Sequence, residues 1–476
     1  MDRLSPLDAE FLHLEDDVSH LHIAGLSIFE GPAPEPEDLT ALLEAKLHLI
    51  PRYRQRVATV PLELGRPVWV DAADFDLADH VGEVALPAPG DDVALCGLMA
   101  DQMSHPLDRS KPLWETHLVR GLPDGRWALI FKVHHAMVDG ISGVGLLTVL
   151  LDLERDAELP EPQPWTPEPA PSGVARVVDA WAGLAGDVLH LVGQVPGAVA
   201  RDPLGALRSV TEKGEGLLGM GRHLGTTPPL SIEGPIGPDR AWAHSSASLA
   251  EVKAVGRAVG GTVNDVVLAS VSAGYRTLLA ERGEDPDAAV LTTLVPVSVR
   301  GPEADGVPDN RVSALLFELP VSIADPVERV HHVCAEMAAL KRSHMADAGE
   351  AVETLGALAP PMVLGTVSRW ATRLMHRLPQ RSVNTVTTNV PGPQFPLYCL
   401  GREMLEYRPF VPISHGVRVG TAILSYNGRL SFGVTGDRET AADVDVLASA
   451  IRTGVTELSE RARPSALGTA PPGRGS

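Results

Sequence analysis

The stretch that decides the fold reads Trp127-Ala128-Leu129-Ile130-Phe131-Lys132-Val133-His134-His135-Ala136-Met137-Val138-Asp139-Gly140. Its first seven residues suit an extended strand with Trp127, Leu129, Phe131 and Val133 on one face and Ala128, Ile130 and Lys132 on the other, so it is predicted to be largely buried. The strand delivers two histidines at its end. Successive side chains of an extended chain point oppositely, so at most one of His134 and His135 faces a cleft and the other is structural. Gly140 and a helix-like run over residues 141–153 then reverse the chain. An imidazole titrating near neutrality suits removal of a hydroxyl proton, and an acid four residues on can fix the loop by binding an arginine. His135 with Asp139 makes that package; the competing reading is a surface histidine pair beside an Asp-Gly turn.

A second pair, His331-His332, is followed by Glu336 but lacks the preceding strand and the glycine turn. Val330, Val333, Ala335 and Met337 continue a helical pattern there, which predicts helix surface. Zinc is disfavoured, because no His-Glu-x-x-His occurs and adjacent histidines on opposed faces make poor joint ligands. Neither Gly-x-Ser-x-Gly nor a phosphate-binding Gly-Lys-Ser/Thr appears, leaving direct, base-assisted transfer as the simplest chemistry.

The 476 residues exceed the usual size of one hydrophobic core. Residues 1–157 read as one self-contained mixed α/β half, with apolar strand-like residues 21–29 and a helical pattern over 36–50. Residues 158–240 hold a linker crowded with proline and glutamate (158–173), then weak bridging helices (174 to about 224). Residues 241–461 form a second α/β half, with helical runs at 248–259, 264–282 and 441–460 and a strand at 289–299. Residues 462–476, rich in Pro, Gly and Ser, are expected to be disordered. A net charge of -21 argues against wholesale nucleic-acid binding. Cys96, Cys334 and Cys399 are widely spaced and match no zinc or disulfide pattern, which fits a reducing cytoplasm. The opening residues are acidic and polar rather than basic and apolar, predicting no export. No window reaches the roughly 18 apolar residues a membrane span requires, so contact with lipid would be peripheral, at the inner membrane or lipid inclusions.

With these motifs in view, the sequence resembles the bacterial wax ester synthase/diacylglycerol acyltransferase family from Leu4 to about Ser459. Ser5-Pro6-Leu7-Asp8 with Phe11 and Glu15, Pro112-Leu113-Trp114, and His134 to Gly140 look like the family's early blocks. Gly234 to Pro238, Asn264-Asp265, Pro296 to Arg300 and Asn389-Val390-Pro391-Gly392-Pro393 look like its later ones. Two departures stand out: Thr388 where the family usually has Ser, and Asp309-Asn310 in place of Gly-Asn. The resemblance implies an α/β (α+β) fold of two chloramphenicol acetyltransferase-like subdomains, each a mixed β-sheet flanked by helices, with the active-site tunnel between them. It implies an acyl-CoA co-substrate, no bound cofactor, and a diacylglycerol or long-chain alcohol acceptor, with triacylglycerol or wax ester as product.

On that pattern His135 is the base, Asp139 its structural support, His134 secondary, and Asn389, Thr388 or backbone N–H groups the candidate oxyanion donors. By analogy with related acyltransferases Arg300 pairs with Asp139, although Arg109 and Arg120 lie on plausible neighbouring segments. Pro112, Leu113, Trp114, Gly140, Pro391 and Gly392 are equally readable as packing or substrate contacts. Asn264 is read as a helix N-cap with Asp265 in the first turn. Carrier-protein-bound acyl donors, as in condensation domains, and a catalytically silent lipid-binding protein are the competing functions. Finally, no acidic residue lies between Glu353 and Glu403. At 100° per residue Arg369, Arg373 and Arg377 form one stripe opposite Val363, Leu364, Val367, Leu374, Met375 and Leu378, bracketed by Pro361 and Pro379. Such a helix suits an anionic membrane or the coenzyme A phosphates; the alternative is a domain helix with its arginines in water.

Overall fold

The structure, a computed structural model, describes residues 1–137, 143–182, 229–298, 312–340 and 383–462. Asp139, Gly140, Arg300, Asp309-Asn310, the Arg369/Arg373/Arg377 stripe and the tail from 463 onward lie outside them.

Two six-stranded mixed sheets carry the fold. The strand Trp127–His134 forms as its alternation requires. Trp127 and Val133, with Leu129 and Phe131, belong to one apolar cluster, and Ala128 and Ile130 to another on the opposite face. The second cluster is completed by Leu95, Met99, Ala100 and Met103 from helix Asp92–Ser104. On its two edges the histidine strand pairs antiparallel with His22–Phe29 and Trp114–Arg120, and Val81–Ala85 adds parallel to the latter.

The other sheet runs Val312–Leu319, Leu291–Ser298, Thr385–Pro391, Val419–Tyr426, Arg429–Asp437, Arg240–Ser248. Thr385–Pro391 is parallel to both neighbours, and all other pairings are antiparallel. Helices Leu249–Val259, Val263–Glu281 and Val444–Ala462 cover this sheet through one large apolar cluster. The α/β architecture of two mixed sheets flanked by helices is therefore the one the chain adopts. His331 and His332 sit exposed on a helical segment whose Val330, Val333 and Met337 are buried, so that pair is helix surface.

Two sequence readings change. Helix Val263–Glu281 is capped by Thr262, not Asn264. The Thr262 hydroxyl accepts the Asp265 N–H and the Asp265 carboxylate accepts the Thr262 N–H at 2.8 Å, a reciprocal capping box. The reading failed because Thr and Asn are both good caps, and only the reciprocal Asp three residues on selects Thr262. Second, the first half is not self-contained: strand Arg402–Phe410 leaves the second half and pairs antiparallel with His22–Phe29. Without it, His22–Phe29, an almost wholly buried strand, would end the sheet with unpaired backbone. Nothing in the local pattern of residues 402–410 names the sheet they join.

Candidate active site

The histidines are fixed by backbone on alternate sides. The His134 N–H donates to Leu113 O and the His135 N–H to Leu21 O, both at 2.9 Å. The chain thus keeps its extended zigzag to the strand's last residue before tightening into a short 3-10 turn, His135–Met137. Opposed side chains follow. His134 is 1% exposed and points into the protein, whereas His135 is half-buried and lies against the Phe11 ring, centroid to centroid 4.1 Å.

His134 serves the turn. Its Nδ1 accepts the Ala136 N–H at 3.1 Å, so the ring proton belongs on Nε2, which faces Glu15 Oε2 at 3.5 Å. Glu15 ends the run opened by Ser5, the N-cap of helix Pro6–Leu14, whose side chain accepts from the Asp8 N–H. Arg109 Nε donates to Glu15 Oε2 at 2.9 Å, and its Nη2 reaches Leu12 O at 3.0 Å. Burial would raise the Glu15 carboxyl, but the neighbouring His134 and Arg109 outweigh it and hold the pKa at about 2. Burial first, then the neighbouring His134, pushes His135 down to about 4, so its imidazole is unprotonated at neutral pH.

Behind His134 the polar core continues. His22 is fully enclosed, donates from Nε2 to Met103 O at 3.0 Å, and is held well below its ordinary pKa by burial. Lys132, 1% exposed, donates to Gln102 O and His105 O.

The Pro-Leu-Trp element packs against this strand. Leu113 supplies the carbonyl that receives His134, and the Trp114 indole N–H donates to Tyr53 O at 2.9 Å. Its ring stacks on His80 at 4.6 Å and lies near Phe131 at 5.9 Å. On the other half, Asn389 Nδ2 donates to Asn264 Oδ1 at 3.1 Å, joining two of the sequence-predicted residues. Thr388 pairs with Ala422 and Pro391 with Ser425 on the neighbouring strand. Gly392 is required there, since a Cβ would come within 2.2 Å of Ser425 O. No hydrogen bond among the described residues links the Asn264–Asn389 pair to His135. The two halves do meet nearby, because Leu424 and Tyr426 share one apolar cluster with Trp114, Ala136 and Met137.

Among the described residues, Arg109 and Arg120, the alternative partners considered for Asp139, hold other groups: Arg109 binds Glu15, and Arg120 binds Glu83, Glu35 and Pro34 O. Sequence reasoning placed Phe11 and Glu15 in an opening motif without a role. Their spacing of four, which stacks side chains on one side of a helical turn, was the available signal. Among the described residues no group of three or more His, Cys, Asp or Glu could hold a metal ion. Nor is any described helix long and apolar enough to cross a membrane.

A family model described as the wax ester synthase/diacylglycerol acyltransferase catalytic domain matches residues 4–267, and one for the C-terminal domain of the same family matches residues 309–459. A probable diacylglycerol O-acyltransferase of Mycobacterium tuberculosis is 37% identical over 461 residues, covering 96% of each chain. The solved wax ester synthase/diacylglycerol acyltransferase of Marinobacter aquaeolei superposes with a TM-score of 0.69 at 27% identity, over 97% of this chain and 100% of that one. The first condensation domain of the CDA synthetase shares the fold, with a TM-score of 0.55 at 16% identity over 97% and 96% of the two chains. With the catalytic-domain match spanning more than half of its length and a relative this similar over nearly all of it, the chain belongs to the wax ester synthase/diacylglycerol acyltransferase family.

Proposed function

We propose that this protein transfers a fatty acyl group from acyl-CoA to the hydroxyl of a diacylglycerol or long-chain alcohol, with His135 as general base. The observation that carries the reading is the state of one side chain. His135 stands at the end of a buried strand, half-buried against Phe11, with its pKa held near 4 and its ring therefore free to accept a proton at neutral pH. In the proposed step a lipid alcohol enters a tunnel between the halves, His135 takes the hydroxyl proton as the oxygen attacks the thioester carbonyl, and the C–S bond breaks as the imidazolium returns that proton to sulfur, so that coenzyme A leaves as the thiol. Asn389 and the Thr388 hydroxyl are the proposed oxyanion donors, and Asp139, with Arg300 as its proposed partner, supports the loop.

Incubating the protein with labelled palmitoyl-CoA and either hexadecanol or dioleoylglycerol, then identifying the ester, tests the activity and names the acceptor. His135→Ala should abolish transfer while the fold persists; substantial residual turnover would refute the base assignment. Palmitoyl carrier protein as the better donor would favour a condensation-type enzyme, and absence of any ester would favour a lipid-binding protein. Arg369, Arg373 and Arg377 belong to the same proposal as a membrane or coenzyme A phosphate patch. Changing all three to Gln should weaken liposome binding or raise KM for acyl-CoA, and constancy of both would remove the patch.

A further inference from the structure

The base of an acyl transfer must be aimed as well as unprotonated, and the described residues show what aims it. His135 is tied to the protein by its own N–H, which Leu21 O accepts, and by the turn that follows it, which His134 Nδ1 holds through the Ala136 N–H. One carboxylate stands behind both ties. Glu15 Oε1 accepts the Leu21 N–H at 3.4 Å, on the residue whose carbonyl takes His135. Glu15 Oε2 faces His134 Nε2 at 3.5 Å, where its charge favours the ring proton on that nitrogen and so leaves Nδ1 bare for Ala136. The same oxygen is anchored by Arg109. Phe11, one turn earlier on the same segment, covers His135 itself.

We propose that Glu15 is a positioning residue for the acyl transfer: by bracing Leu21 and fixing the His134 tautomer together, it sets the place and angle of the His135 ring. The proposal rests on the reading of His135 as the base. It is distinct from any Asp139–arginine contact, because Glu15 precedes the histidine strand in sequence and Asp139 follows it. Both of its oxygens are committed to donors, so an isosteric amide cannot replace it. A glutamine NH2 must oppose either the Leu21 N–H or the donors of Arg109 and His134, breaking one of the two ties.

The test compares Glu15→Gln with His135→Ala in the full-length protein, using palmitoyl-CoA and dioleoylglycerol. Misplacing a reacting group by about 1 Å costs on the order of 100-fold, so kcat of Glu15→Gln should fall about 10- to 100-fold with KM for acyl-CoA within about twofold. Nitrogen NMR of labelled histidines should show His134 protonated on Nε2 in the parent and redistributed between its tautomers in the variant, a change that a merely structural loss does not produce. A Glu15→Gln kcat within about twofold of the parent, with His135→Ala inactive, overturns the positioning role and spares the base. An active His135→Ala overturns both.

Should Glu15→Gln fail to fold, Arg109→Gln decides. It retains the Glu15 carboxylate and its Leu21 contact but removes the Arg109 anchor and the positive charge that helps hold its pKa down, while Lys132, His20 and His22, which also face it, are unchanged. Protonation of Glu15 then intrudes, and the acid limb of kcat moves to higher pH; an unmoved limb overturns the proposal.

Discussion

Removing the Phe11 ring should make the enzyme more sensitive to acid by rehydrating His135. The gap between an ordinary histidine pKa of 6.5 and the value of about 4 held here is set first by burial, with the neighbouring His134 adding to it. That gap corresponds to about 3 kcal/mol against the imidazolium. Phe11 covers one face of the ring at 4.1 Å, so Phe11→Ala should return a third to a half of that penalty, raising the pKa by about one pH unit. At pH 5 the unprotonated fraction would then drop from about nine-tenths to about one-half. Initial rates of coenzyme A release at subsaturating palmitoyl-CoA, from pH 4.5 to 8, read this as a shift of the acid limb of kcat/KM. Return of acid-incubated samples to pH 7.5 separates titration from unfolding. The variant should lose roughly 1–2 kcal/mol of stability, below the range for a fully buried phenylalanine. An acid limb that stays put or moves to lower pH, in a variant that remains folded, would refute the burial argument.

The protein should lose stability on acidification from about pH 6.5 downward. His22 and His244 are held well below 6.5 by burial, so the unfolded chain binds more protons there; below about 4.5 protonation of Glu15, held at about 2, adds a further loss. Urea midpoints at pH 8, 6 and 5 check this, and constant or rising midpoints on acidification would contradict it. Trp114→Phe should cost about 1–3 kcal/mol, because the Tyr53 carbonyl loses its buried donor, while kcat/KM stays near the parent's. A large loss of kcat/KM with unchanged thermal stability would show that Trp114 works on substrate and not through packing.

The histidine strand was legible because burial on both sides leaves an unbroken apolar alternation, and that alternation also dictates that His134 and His135 diverge. The second half's helices were equally legible: Ser248 caps helix Leu249–Val259, as a serine before an apolar period predicts. What stayed hidden is non-local. No pattern within residues 402–410 states that they pair with His22–Phe29, since pairing partners are chosen by topology and not by local propensity. Glu15 was hidden for the same reason: its meaning depends on Leu21, Arg109 and His134, three points that only the folded chain gathers. Arg109 shows the same limit: sequence proximity suggested it for Asp139, and only the fold shows that it binds Glu15.

The crossing strand has a consequence for catalysis that interface packing alone would not supply. Interfaces between domains of one chain usually permit relative motion, yet His135 and the Asn389 edge are connected here through hydrogen-bonded strands. Asn389 lies on Thr385–Pro391, beside Val419–Tyr426. The Tyr426 hydroxyl donates to Met404 O and accepts the Leu397 N–H, fastening that sheet to strand Arg402–Phe410. Strand Arg402–Phe410 in turn pairs from Met404 to Phe410 with Phe29 to Ala24, the strand that begins just after Leu21, the acceptor of His135. Close approach makes this joint stiff: a Cβ at Gly25 would fall 1.9 Å from the Tyr407 hydroxyl, so the buried tyrosine occupies the space that glycine leaves open. Backbone pairing within each sheet, joined by the two Tyr426 hydroxyl bonds, therefore carries the position of the second half to the imidazole. Sliding one half past the other would require breaking these bonds.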